Sequence, residues 1–468
     1  MALESNERPD KPITKFESML KTDDVYFFDA EDFEDIVHHY LNHGKISLAK
    51  KGIKIGLQQH PASTELKLLQ VEVMVFENQL EKAEIILDEL QSVDNQNEEI
   101  YIQRANIYSK KDNHEAAIKL LQKALTFTSD SFDIYSLLGM EYLFLDDFNR
   151  AKESFMKCVE FDEQDYSSLY NVVYCFEFLE DYDGAIVYLN DYLENNPYCE
   201  VAWHQLGKQY YYKEMYPEAL TAFDFAIISD DSFIGAYFEK GKVLEKLKRY
   251  KEAIENYETT IVIEDPTSHA FLRIGKCYEK LNDTEMAKYY FYQTVHEDPL
   301  LDKGWLAITN LYYATKNFEK ALYYINKALN IDGENPLYWK KCAQINTALN
   351  NLDQADFAFK QSVDLGNYEL DTWLKWADVV HANGEPLAAV QILSQGREFY
   401  PESLRILYKQ VGFQLLANEK INARITLMDA LKIDKKQKKL HLFTERFPEF
   451  GNSAWTQEIV NKYNKASK

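Results

Sequence analysis

Glycine and proline are scarce, with 16 and 11 residues in a chain of 468. A fold of short strands joined by many tight turns is therefore not expected, and long helices are. The cysteines number five (Cys158, Cys175, Cys199, Cys277 and Cys342), an odd count, widely scattered and without a C-x-x-C pair. This pattern argues against a disulfide framework or a thiolate zinc site and reads as reduced thiols in a cytoplasmic protein. No run approaches the ~18–20 apolar residues that a membrane-crossing helix needs. The opening residues have neither a basic n-region nor an apolar core, so a secretory signal is not expected. Basic residues are short too: 52 against 76 acidic, a formal charge of −24. A surface of that sign repels phosphate backbones, so neither nucleic acid nor an anionic membrane is an expected partner.

What the chain does contain is aromatic and periodic. Tyrosine (33) and phenylalanine (27) are abundant. Stepping by 34 residues from Ala219 reaches Ala49, Ala83, Ala117, Ala151, Ala185, Ala253, Ala287, Ala321, Ala355, Ala389 and Ala423, an alanine at every step. If that alanine is position 20, repeats begin at residues 30, 64, 98, 132, 166, 200, 234, 268, 302, 336, 370 and 404. Position 24 is then always large and apolar, as in Leu87, Phe155, Phe223 and Tyr257, and position 4 is aromatic in nine repeats of twelve. Position 8 is small in most repeats, and proline stands at position 32 in Pro61, Pro197, Pro299 and Pro401. Positions 4, 7, 8 and 11 share one stripe of a 3.6-residue helix, and positions 20, 24 and 27 share a stripe of a second. Small residues at 8 and 20 let the two helices approach, the rings fill the flanks, and proline ends the second helix. A single pair cannot bury both stripes, so each must stack on its neighbours.

This spacing resembles the tetratricopeptide repeat, W-x2-L-G-x2-Y then A-x3-F then P over 34 residues. Trp203, Leu206, Gly207, Tyr210, Ala219, Phe223 and Ala226 follow it closely. The resemblance implies an all-α fold, a right-handed α-α superhelical solenoid of tetratricopeptide repeats with terminal caps. The organisation expected is an N-terminal polar segment and cap over 1–29, twelve repeats over 30–437, and capping helices over 438–468. Residues 1–15 are expected to be disordered, with a short helix from Phe16, and Tyr26, Phe27 and Phe28 covering the open face of the first repeat. Ser453 reads as the N-cap of a last helix that carries Trp455, Ile459 and Tyr463 on one face. The cluster Lys435, Lys436, Lys438 and Lys439 reads as a solvated helix face.

Phosphate loops, dinucleotide fingerprints, nucleophile elbows and H-E-x-x-H pairs are all absent. No enzymatic activity and no cofactor are expected. Asp35, His39 and His43 share a helical face, but a fourth ligand is not visible, and metal binding is set aside. The resemblance places the first helix of each repeat on a concave surface, with positions 2, 5, 9, 12 and 13 facing inward. Those positions form an aromatic zone of Met140, Phe144, Tyr170, Tyr174, Phe178, His204, Tyr211 and Tyr212, then a lysine row of Lys208, Lys242 and Lys276. Tyr170 and Tyr174 are the better anchors, while the rings at positions 12 and 13 are as readily core. The lysines either select an acidic partner or pair with local glutamates. By resemblance to chaperone-binding members of the family, Lys340, Gln344, Lys375, Arg405 and Lys409 stand where a peptide carboxylate is gripped, though only Lys340 matches in type. The expected function is a scaffold or adaptor binding another protein, and the competing one is an assembly subunit docked through its outer surface or its ends.

Overall fold

The computed structural model describes residues 11–22, 26–263 and 267–466. These contain 28 helices and no strand. The chain divides into two compact units, Met1–Asp231 and Ser232–Lys468. Each unit is a succession of helix hairpins, every hairpin packed against the next in sequence.

The 34-residue spacing sets the hairpins directly. A first helix, helix A, begins at Ala30, Thr64, Glu98, Phe132, Tyr166 and Glu200 in the first unit, and at Ile234, Ser268, Asp302, Pro336, Leu370 and Leu404 in the second. The partner, helix B, starts sixteen residues later in each case, as in Glu200–Tyr212 and Tyr216–Ser229. All twelve alanines at position 20 are buried, and so is every residue at position 24. The small alanine lets helix B lie close against helix A. The large side chain one turn on then fills the space beside it.

Positions 8 and 24 match each other in size. A Cβ added at Gly139, Gly207, Gly241 or Gly275 would stand 2.5–2.6 Å from the ring of Phe155, Phe223, Tyr257 or Phe291 respectively. Position 8 is therefore glycine because position 24 of the same hairpin is a ring. Where position 24 is leucine or isoleucine, position 8 carries a larger group, as in Val71 with Leu87, Val173 with Leu189 and Thr309 with Ile325. Ala343 with Phe359 lies between the two types.

The turn from A to B is closed the same way twelve times. Residue 15 is left-handed in every repeat, from Gly44 at φ 67° through Asn78 at φ 60° to Gly384 at φ 88° and Asn418 at φ 61°. The next amide donates to the carbonyl of position 11, as from Asn113 to Tyr108 at 2.9 Å, which satisfies a helix-end acceptor. Gly, Asn and Asp suit that backbone, yet Glu180, Glu214, Lys248 and Lys316 adopt it as well. Consecutive hairpins are also tied by tryptophan. Trp203, Trp305 and Trp339 at position 4 each donate through Nε1, at 2.8 Å, to the carbonyl six residues earlier: Pro197, Pro299 and Gly333.

The ends differ in part from expectation. Residues 11–15 belong to a helix, Lys11–Thr22, rather than to a disordered tail; residues 1–10 lie outside the described residues. Phe16 and Met19 are buried, and the Phe16 ring meets Phe28, Phe33 and Tyr40 at 6.1–6.4 Å. Phe28 covers the first repeat, whereas Phe27 points outward. At the other end the Ser453 hydroxyl accepts from the Thr456 amide at 3.3 Å, ahead of the helix Ala454–Ala466. Lys435, Lys436, Lys438 and Lys439 occupy a turn and not a helix face. The turn is organised by buried Asp434, which accepts from the amides of Lys438 and Lys439 at 3.0 and 2.9 Å and from the Tyr408 hydroxyl at 3.0 Å.

Candidate functional site

Within each unit, successive A helices meet side by side, and their polar side chains bridge from one repeat to the next. In the first unit Glu177 lies 3.4 Å from Lys208 and accepts from Gln209 Nε2 at 2.8 Å. In the second, Lys409 reaches Asp378 at 2.8 Å. This helix-A face is the candidate site.

Its aromatic zone lies in the first unit. Rings at position 13 meet the first residue of helix B of the preceding hairpin: Phe144 stacks on His114 at 4.8 Å and Phe178 on Phe148 at 4.5 Å, while Tyr212 lies tilted against Tyr182 at 5.6 Å. One side of each ring is therefore spent on joining repeats. The other side is open, since Phe144, Phe178 and Tyr212 all remain exposed, and beside Phe178 the rings of Tyr170 and Tyr174 keep 41% and 44% of their surface. Tyr174 and Phe178 touch at 4.9 Å, and Met140 and Phe144 are exposed on the neighbouring helix. The rings expected to be core or contact are both at once. His204 and Tyr211 sit deeper, with ring contacts to Phe223 at 5.9 Å and Tyr216 at 6.0 Å.

The lysine row does not stand bare. Lys208 has Glu177, and Lys242 has Glu239 at 2.7 Å. Burial, then the neighbouring Arg273, pushes the Lys276 ammonium below its ordinary pKa. Local pairing therefore accounts for Lys208 and Lys242.

At the carboxylate site expected at Lys340, Gln344, Lys375, Arg405 and Lys409, the cations face the chain's own acids. Lys340 pairs with Glu369 at 2.6 Å, Lys375 with Asp371 at 2.9 Å, and Arg405 approaches the same Asp371 at 3.8 Å. The hydrogen bond from Lys375 holds the Asp371 carboxyl below the usual range. Lys409 is buried, donating to the Leu374 carbonyl at 2.8 Å as well as to Asp378. Above it lies the C-terminal segment. Arg446 also binds Asp378, Phe443 stacks on Tyr408 at 6.5 Å, and Phe447 packs against Gly412 and Phe413. Residues 441–447 thus pack on the last A helix and reach Asp378 on the one before it. A cavity of about 410 Å³ remains beneath, lined by Leu374, Arg405, Lys409, His441, Leu442, Glu445 and Arg446.

Burial pushes Lys409 down to about 8, outweighing the pull of Asp378. An unfolded chain keeps a lysine proton to about pH 10.4. Between these values the unfolded state binds more protons, so this residue makes stability rise with pH. From pH 8 to 9.5 the protein should gain roughly 1.6 kcal/mol over a Lys409→Met variant, because the slope is half its limit of about 1.4 kcal/mol per unit at pH 8 and approaches that limit above it. Urea unfolding of both proteins across that window checks it, and parallel profiles would refute the assignment.

Elsewhere, His43 Nδ1 lies 2.7 Å from the His39 carbonyl. Among the described residues no group of three or more His, Cys, Asp or Glu could hold a metal ion, and no helix is long and apolar enough to cross a membrane. All five cysteines are buried and unpaired, and burial pushes the Cys175 and Cys342 thiols up to about 11. Sequence reasoning missed a cavity of about 520 Å³ between Ile46–Gln59 and Thr64–Phe76, floored by Ile53, Leu57, Val73 and Met74 and rimmed by Lys50, Lys51 and Lys54.

Hairpins stacked one on the next define a class, the α-solenoid repeat proteins. Family models described as tetratricopeptide repeat match residues 98–130, 132–165, 204–269 and 269–300. The chain carries tetratricopeptide repeats over these residues. No curated protein matches it. Similar solved structures include the APC/C hetero-tetramer Cut9–Hcn1, at 14% identity over 84% of this chain and 90% of that one, TM-score 0.40. Naa15/Naa10 bound to HypK-THB matches at 13% identity over 93% and 79%, TM-score 0.35. YrrB, a TPR protein with an unusual peptide-binding site, matches at 16% identity over 42% and 97%, TM-score 0.33.

Proposed function

We propose that this chain is a non-enzymatic scaffold that holds a segment of another protein along the helix-A face of its repeats. Residues 30–437 are taken as twelve repeats, with 1–29 and 438–468 as their caps. The observation that carries the reading is the open, largely aromatic run Met140, Phe144, Tyr170, Tyr174 and Phe178 on two successive A helices of the first unit. Exposed apolar side chains in contiguous groups mark contact surfaces, and tyrosine offers wide contact at small entropic cost. Tyr174 and Phe178 are the anchors, with Tyr170 beside them. An acid-bearing partner selected by the lysine row has less support, since Lys208 and Lys242 already face Glu177 and Glu239. The assembly-subunit reading, in which the ends are docking contacts, is weaker still. Phe16, Phe28, Phe443 and Phe447 are all buried against the chain's own repeats.

Truncating two anchors in one surface should cost about 2 kcal/mol or more of binding energy, roughly thirty-fold. The Tyr174→Ala/Phe178→Ala protein is expected to keep its helical circular dichroism and lose that much of the partner captured by wild type from native extract. Capture at the wild-type level with the fold intact would remove the aromatic face from consideration.

A further inference from the structure

Charge is distributed unevenly over the helix-A face. Across positions 2, 5, 9, 12 and 13 of the first unit the carboxylates Glu31, Glu34, Glu65, Glu72, Glu99 and Asp133 meet one unmatched lysine, Lys110, with Lys208 and Glu177 paired to each other. The same positions of the second unit carry Lys242, Lys246, Lys276, Lys280, Lys303, Lys340 and Arg405 against only four acids. Part of the first pattern has a structural reason. Position 2 lies in the first helical turn, where the dipole favours a carboxylate. Glu34 and Glu72 lie further along their helices and gain nothing from that. Burial and the nearby Glu65 push the Glu34 carboxyl up, and burial, Glu72 and Asp133 push up Glu99, so these groups lie close enough to repel. His38 is the group that offsets Glu34 and Glu72. Buried Gln103 donates to Glu99 at 2.8 Å, while its own Oε1 is buried and meets no donor.

The second unit shows what such a face accepts. There the chain's own residues 441–447 lie on it, with Arg446 on Asp378 at position 9 and the Phe447 ring against Gly412, also at position 9. Arginine goes to the acid, and phenylalanine goes to the Gly412 backbone and the edge of the Phe413 ring. The first unit offers both features, acids on its early repeats and open rings on repeats 132 and 166, with no segment of the described chain over them.

We propose that the helix-A face of the first unit binds an extended partner segment in which arginine or lysine alternates with aromatic residues. This rests on the scaffold reading and adds the chemistry of the partner. The cations meet Glu34, Glu72 and Glu99, and the rings meet Tyr174 and Phe178, whose faces also attract cations. Five A helices at about 9 Å spacing span roughly 36 Å, which corresponds to about eleven residues of extended chain.

The test uses the full chain and two labelled peptides of about a dozen residues, one alternating arginine with phenylalanine and glycine, the other with glutamate in place of arginine. The arginine peptide is expected to bind at least ten-fold tighter than its counterpart and to weaken as salt rises. Glu72→Lys/Glu99→Lys should weaken it ten-fold or more, and so should Tyr174→Ala/Phe178→Ala. If only the aromatic variant matters, or the glutamate peptide binds as well, the charge inference fails and the scaffold reading stands. Failure of the arginine peptide to bind at all also overturns the charge inference. If the arginine peptide binds and ignores both variants, the attraction is only to the net charge of −24, and both readings fall.

Discussion

Gly207→Val is expected to destabilise the first unit by about 3 kcal/mol, the upper end for overpacking a tight core. Adding Phe223→Leu should then recover most of the loss. A Cβ at Gly207 would stand 2.6 Å from Phe223 Cε1 and 2.8 Å from Cδ1 and Cζ, and valine adds two methyls to that. The ring cannot swing aside, because it is fully buried between its own helix and Glu200–Tyr212. Phe223→Leu alone leaves a partial cavity and should cost about 1–2 kcal/mol. The double variant recreates a pair the chain already uses, Val71 with Leu87, Val173 with Leu189 and Val411 with Leu427. It is expected within about 1 kcal/mol of wild type, so the two changes are strongly non-additive. Unfolding midpoints of the four proteins decide the point. Additive losses would mean that the size match between positions 8 and 24 is coincidental.

That coupling bears on how much of the molecule can be read without coordinates. Helix boundaries follow from periodicity, because alanine at 20 and a large residue at 24 have one packing solution when repeated at a fixed interval. The left-handed residue at position 15 is half legible. Asn78, Asn282 and Gly384 advertise it, but Glu180, Glu214, Lys248 and Lys316 carry no such preference and are placed there by the helices on either side. The aromatic face was legible as a set of rings at inner positions. Its double role was not, since stacking on Phe148 or His114 depends on how neighbouring hairpins lie. The acids that face the expected carboxylate site were not legible for a further reason. The segment beside it lies outside the repeat, and Arg446 reaches Asp378 across 68 residues of sequence, where periodicity says nothing.

Phe447→Ala should therefore act on one end of the second unit and leave the rest of that unit untouched. Phe447 is buried where the chain folds back over the last two repeats, filling the space left by Gly412 and meeting Phe413 at 5.6 Å and Phe443 at 6.1 Å. Removing a buried phenylalanine side chain costs about 3–5 kcal/mol. In a compact single core that loss would be shared by every element. In a stack of hairpins each repeat draws its stability from its immediate neighbours, so the loss stays near the site. Hydrogen exchange is expected to quicken by about a hundred-fold or more in Leu404–Leu416 and Lys420–Ile433, reporting local opening. Amides in Asp302–Ala314, three hairpins away, should exchange as in wild type. Uniform acceleration through the unit would show that it unfolds as one cooperative body. No acceleration at the end would show that residues 441–447 lie on the last repeats without stabilising them. The cap matters because the outer face of a final hairpin has no further repeat to bury it, and here Phe443 and Phe447 take the place of the missing neighbour.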